Sequence, residues 1–163
     1  MRTVPIAVVA LASALLLTAC DSGGGTGKNS SACKFGEVGV QVGPASTAPA
    51  AGDTGEVPVS LTNQSKPCTL DGFPRVTLRA GGTSVALTSQ KGAKAQKLKL
   101  AKGEAAAFTI TYVRGKAGDP QSLAATRLLL TLPGGSDSAS YTWSYGPVQG
   151  KQASVSAFQQ AGD

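Results

Sequence analysis

The stretch "EVPVSLTN", residues 56–63, sets Val57, Val59 and Leu61 at every second position, with Glu56, Pro58, Ser60 and Thr62 between them. In an extended chain successive side chains point to opposite faces, so this pattern buries one face and wets the other. The same period recurs on both sides. Before it, "EVGVQV" (37–42) aligns Val38, Val40 and Val42. After it, "PRVTLRA" aligns Val76 and Leu78, "SVALT" Val85 and Leu87, and "KLKL" Leu98 and Leu100. Further on, "AFTITYV" aligns Phe108, Ile110 and Tyr112, and "RLLLTL" aligns Leu128, Leu130 and Leu132. "YTWSY" (141–145) puts Tyr141, Trp143 and Tyr145 on one face, and "ASVSAF" closes the series with Val155 and Ala157. Turn signals separate these runs: Gly81-Gly82, Lys102-Gly103, Pro133-Gly134-Gly135 and Gly146-Pro147. No long helical period appears; Pro120–Ala125 offers one turn at most. Short strands at this spacing predict an all-β fold, an immunoglobulin-like two-sheet β-sandwich of about eight or nine strands. "GPASTAPAAGDTG" (43–55) reads as a mobile, solvated loop.

Outward from the strands, the N-terminal segment has a different character. Arg2 is its one charge, and Val4 to Leu17 is almost wholly apolar. A charged start and a short apolar run form the pattern of a secretory signal. The run falls short of the roughly 20 residues a membrane-spanning helix needs. It ends in Leu17-Thr18-Ala19-Cys20, which resembles the bacterial lipobox. That resemblance implies cleavage before Cys20 and a diacylglyceryl group on its sulfur, the thiolate being the nucleophile that takes the lipid. Two acyl chains give lasting attachment, since each buried methylene contributes about 0.8 kcal/mol. "DSGGGTGKNSSA" (21–32) cannot form a core and reads as a tether spanning roughly 20 Å. The expected organisation is a lipoprotein signal over 1–19, a lipidated cysteine and tether over 20–32, and a β-sandwich over 33–163. The expected location is the outer face of the cell membrane. The tripeptides Asn29-Ser30-Ser31 and Asn63-Gln64-Ser65 match the N-glycosylation pattern; behind a lipobox both read as coincidence.

About 130 residues remain, enough for one domain with a real core. Beyond Cys20 the cysteines are Cys33 and Cys68, and in an oxidising space they predict a disulfide. Closing that loop is worth roughly 4 kcal/mol on the chain-entropy model. The formal charge of +6 is mild. It suits contact with anionic lipid or an anionic envelope polymer and serves solubility equally well. Nucleic acid is not an expected partner for an exported chain.

The chain has no histidine, which excludes Ser–His and Cys–His nucleophilic pairs. With both domain cysteines oxidised, zinc has no ligands, and the nine acids are too scattered for calcium. Ser31-Ala32-Cys33-Lys34 fits S-x-x-K but lies at the tether junction, without the helix and partner motifs that chemistry needs. Asp71 and Glu104 are the acids nearest the motifs, and nothing in the sequence brings them together. A wall-active hydrolase is therefore the weaker expectation; the stronger one is a non-enzymatic binding or interaction module without cofactor or metal. An accessory subunit of an envelope complex is the alternative.

Lys91, Lys94, Lys97, Lys99 and Lys102 form a local cluster. It reads either as an anion-binding strip or as lysines that guard an exposed strand edge against aggregation. The Tyr141, Trp143, Tyr145 strip reads either as a platform for sugar rings or as core, since Thr142 and Ser144 occupy the other face.

"LTNQSKPCTLDGFPRVTL" (61–78) resembles the actinobacterial secreted family named domain of unknown function 4232. The matching residues are Cys33, Asn63, Cys68, Leu70, Gly72, Phe73 and Pro74. Downstream, "LKLAKGEAAAFTITY" (98–112) is similar through Leu100, Gly103, Ala106 and Tyr112. The resemblance spans roughly 33–159 and implies a secreted or lipid-anchored β-sandwich without an assigned activity. Many relatives carry a second cysteine pair in the later half, and this chain has no cysteine after Cys68. Gly72, Phe73 and Pro74 are expected to be structural, with Gly72 permitting a turn and the prolines stiffening the chain around Cys68.

Overall fold

The computed structural model describes residues 31–162; Cys20, the expected signal over 1–19 and most of the expected tether lie outside the described residues. The described chain is all-β, with thirteen strands and no helix. The strands are β1 (Val38–Val42), β2 (Thr54–Asn63), β3 (Cys68–Asp71), β4 (Arg75–Ala80), β5 (Thr83–Ala86), β6 (Thr88–Ser89) and β7 (Lys97–Leu100). They continue with β8 (Ala105–Arg114), β9 (Ser122–Leu123), β10 (Arg127–Thr131), β11 (Ser138–Thr142), β12 (Val148–Val155) and β13 (Gln159–Gln160).

The alternation in residues 56–63 is realised as β2. It pairs antiparallel with β8 from Thr54↔Val113 to Thr62↔Ala105, so one period runs through both strands. On the inner face Val57, Val59, Leu61, Phe108, Ile110 and Tyr112 are all at most 2% exposed. Each such side chain contributes roughly 1.5–3 kcal/mol relative to exposure. Pro58 lies just past the β1–β2 ladder, which ends at Val42↔Val59. Its carbonyl accepts from the Gly43 N–H at 2.9 Å, and the N–H that proline lacks would have faced a position β1 has already left.

Seven strands form one sheet along the path β1-β2-β8-β12-β6, with β13 on β8 and β9 on β12. A second sheet runs β11-β10-β4-β5, and β3 and β7 form a separate ribbon. All three contribute to one core: Val76, Leu78, Leu128 and Leu130 from the four-stranded sheet, Leu70 and Leu100 from the ribbon, and the β2–β8 face.

Four sequence expectations change. The strand count exceeds nine because β6, β9 and β13 have two residues each, too short to show a period, and because β3 occupies what reads as a stiff corner. Residues 120–125 form no helical turn; β9 pairs there with β12 through Val148↔Leu123. The aromatic strip is not one strand face, because β11 ends at Thr142. Finally, the segment 43–55 is fastened to the sheet. Ser46 exchanges backbone hydrogen bonds with Glu56 at 2.9 Å, and the Arg114 Nη1 donates to the Ala48 carbonyl at 2.6 Å. Ala48 is fully buried. Gly55 makes room for this packing: a Cβ there would stand 2.6 Å from the Tyr112 ring and 2.8 Å from the Ala48 nitrogen.

Candidate functional site

Cys33 and Cys68 are joined, with Cα atoms 4.9 Å apart, and both are buried. The incoming chain is clamped beside β3 as well: Cys33 N–H donates to the Thr69 carbonyl and Thr69 N–H to the Ser31 carbonyl, each at 3.0 Å. Ser31 thus belongs to a backbone clamp on β3, whereas the Lys34 carbonyl accepts from the Glu37 and Val38 N–H groups at the entry to β1. Asn63 is the second fastening. Its fully buried amide donates to the Lys66 and Leu100 carbonyls, both at 2.9 Å, and its Oδ1 accepts from Ser65 N–H at 3.0 Å. One side chain thereby joins the end of β2, the loop before β3 and the end of β7, and its nitrogen is not presented for glycosylation.

The five lysines are all exposed. Lys97 and Lys99 share the outer face of β7, Lys91 and Lys94 lie in the loop between β6 and β7, and Lys102 lies in the turn before β8. No strand pairs with the second edge of β7 among the described residues. Lys97 Nζ lies 3.2 Å from Asp71 Oδ2, its register partner, with both side chains more than half exposed. Glu104 accepts from the Ala101 N–H at 2.8 Å within its own turn. The two acids singled out from the sequence are thus engaged in separate local contacts.

The aromatics divide. Trp143, only 3% exposed, packs edge-on against Tyr112 and Tyr145, with centroids 5.2 and 5.0 Å away. Its indole N–H donates to the Gly146 carbonyl at 2.8 Å, so Trp143 is core. Burial raises the hydroxyl pKa of half-buried Tyr141. Burial, and then the neighbouring Tyr112, raise that of Tyr145. Both stay neutral well past pH 7.

The feature that sequence reasoning missed is a cleft of about 770 Å³, where the chain crosses from β5 to β6. Phe73 and Pro74 enter it from the start of β4, Leu87 from the crossing and Val155 from β12, with Arg75 and Ser136 at polar positions. Gly72, at φ +124°, turns the chain so that Pro74 is buried while Phe73 is left half-buried and outside the core cluster. A phenylalanine between a turn and a strand reads from sequence as core; its position beside a strand crossing has no local signal.

An all-β domain stapled once, near its N-terminal entry, and carrying a motif aromatic at the rim of a cleft is the class of protein these observations define. The chain belongs to the family described as Domain of unknown function (DUF4232), whose sequence model matches residues 33–159. No curated protein and no solved structure matches it.

Proposed function

We propose that this chain is a membrane-anchored, extracytoplasmic, non-enzymatic binding or interaction module of the cell envelope. A diacylglyceryl group on Cys20 is its anchor, and an immunoglobulin-like sandwich, with the four-stranded and seven-stranded sheets as its layers, is its body. The single observation that carries the binding role is the cleft at Phe73. Its volume falls in the range of ligand-binding clefts, and its lining mixes apolar side chains with a few polar groups, the usual make-up of a recognition site. A motif aromatic kept half out of the core is accounted for if a partner completes its burial. The exposed lysines from Lys91 to Lys102 suit a supporting role toward an anionic surface, one that weakens as salt rises.

Two measurements test this. The intact mass of native material should show a chain beginning at Cys20 with two or more acyl groups. A photo-crosslinking side chain at position 73 in intact cells should give a discrete adduct that position 151, on β12, does not give. A chain beginning at Met1 without lipid, or identical crosslinking from both positions, overturns the proposal.

A further inference from the structure

The outer face of the four-stranded sheet carries a feature unrelated to the cleft or the lysines. Register places Arg127 of β10 directly opposite Arg79 of β4. Thr142 of β11 flanks Arg127 on one side, and Ser84 of β5 flanks Arg79 on the other. The row across four strands is therefore hydroxyl, guanidinium, guanidinium, hydroxyl. All four side chains are exposed, while their neighbours Leu78 and Leu128 are fully buried on the inner face.

Like charges directly opposite in an antiparallel pair stand on Cβ atoms about 5 Å apart and repel. The usual remedy is a carboxylate alongside. The ion pair among the described residues is Lys97 with Asp71 on the ribbon, so neither arginine has a carboxylate partner there. The acid nearest this sheet in sequence, Asp137, precedes Ser138, at the end of the sheet where Arg75 lies. Arg75 is itself occupied, its Nη2 donating to the Gly135 carbonyl at 2.6 Å. Arg79 spends Nε on Ser84 Oγ at 3.2 Å, which leaves its terminal amino groups for another acceptor. Beside Arg127 a surface concavity of about 420 Å³ is lined by Thr126, Ser140 and Thr142 together with Tyr141, all of which carry hydroxyls.

We propose that the Arg79–Arg127 pair, framed by Ser84 and Thr142, binds a phosphate group. Two planar forks offer parallel N–H donors to a tetrahedral oxyanion, and the flanking hydroxyls add neutral donors. The bound charge removes the repulsion that the register creates. The site stands apart from the Phe73 cleft and from the Cys20 anchor, so either can fail without touching it.

The test is a titration of the full chain with inorganic phosphate at low salt, read by the arginine Nε–Hε NMR signals. The expected result is saturable shifts at Arg79 and Arg127. Arg127→Gln and Arg79→Gln should each weaken binding about tenfold or more, while Lys34→Gln with Lys116→Gln, both at exposed positions, leaves it unchanged. Both glutamine variants should melt no lower than the parent, since each relieves the like-charge pair. Two further arms name the source. Binding to phosphatidylglycerol vesicles over phosphatidylcholine vesicles, lost in Arg127→Gln, assigns a lipid headgroup; binding of a soluble glycerol phosphodiester without vesicle binding assigns a polymer. Unsaturable shifts spread over all basic residues, or equal loss in the lysine variant, overturn the proposal.

Discussion

Strands β2 and β8 run ten residues each and share a ladder with a continuous apolar face, whereas β3 and β7 run four residues each and turn Lys97 and Lys99 to water. The long pair has no covalent tie and rests on burial. The ribbon is short: it buries Cys68, Thr69, Leu70 and Leu100, and it is held as well by the Cys33–Cys68 bond, the backbone clamp at Thr69 and the three hydrogen bonds of Asn63. The difference teaches that one chain meets the cost of ordering in two ways. Where a strand pair is long, packing suffices; where it is short, cross-links and satisfied polar groups add to the burial.

If that division is right, damage to the long pair should be global and damage to the ribbon local. Phe108→Ala gives the largest expected effect. Phe108 is 2% exposed and meets Phe158 edge-on at 5.3 Å, so its removal should cost about 5 kcal/mol in urea unfolding. Hydrogen exchange should speed up across all three sheets together. Faster exchange confined to β2 and β8 would break the comparison.

The double change Cys33→Ala and Cys68→Ala comes next, at about 4 kcal/mol from the chain-entropy model for a bond spanning 35 residues. Amides of residues 31–33, β3 and β7 should lose protection first, while Val57–Leu61 and Phe108–Tyr112 keep theirs. Simultaneous loss everywhere would mean that the ribbon is an integral part of the core.

What the sequence disclosed follows the same line. Long strands with one buried face repeat their period often enough to be read, and Val57, Ile110 and Leu130 fall on the expected face. The disulfide was legible because the two cysteines beyond Cys20 leave one pairing within the domain. Strand β3 was not, because "CTLD" is too short to show a period between two prolines. Most of the segment 43–55 is exposed, as its small residues suggest, yet the backbone bonds of Ser46 and the burial of Ala48 beside Gly55 fasten it to the sheet, and neither has a periodic signal in the sequence. The cleft and the Arg79–Arg127 row were hidden for another reason: both depend on which distant strands become neighbours.

Asn63 is the most delicate test, because it belongs to both regions. Its backbone ends β2, at Val38↔Asn63, and its carbonyl accepts from Gly103 N–H at 2.7 Å. Its side chain reaches the carbonyls of Lys66 and Leu100 on the ribbon's side. Asn63→Ala keeps the backbone bonds and orphans those two acceptors and the Ser65 N–H. Water can reach the Lys66 side of this network more readily than the Leu100 carbonyl, which follows a fully buried position on β7. The expected loss is therefore about 2 kcal/mol, less than three fully buried orphans would cost. Asn63→Asp separates the parts: it retains the acceptor for Ser65 N–H but faces two carbonyls with a carboxylate, so it should be worse than alanine at pH 7 and recover as pH falls. If aspartate is tolerated as well as asparagine at pH 7, the amide is not what joins the ribbon to the sheet, and the disulfide holds it with the backbone clamp alone.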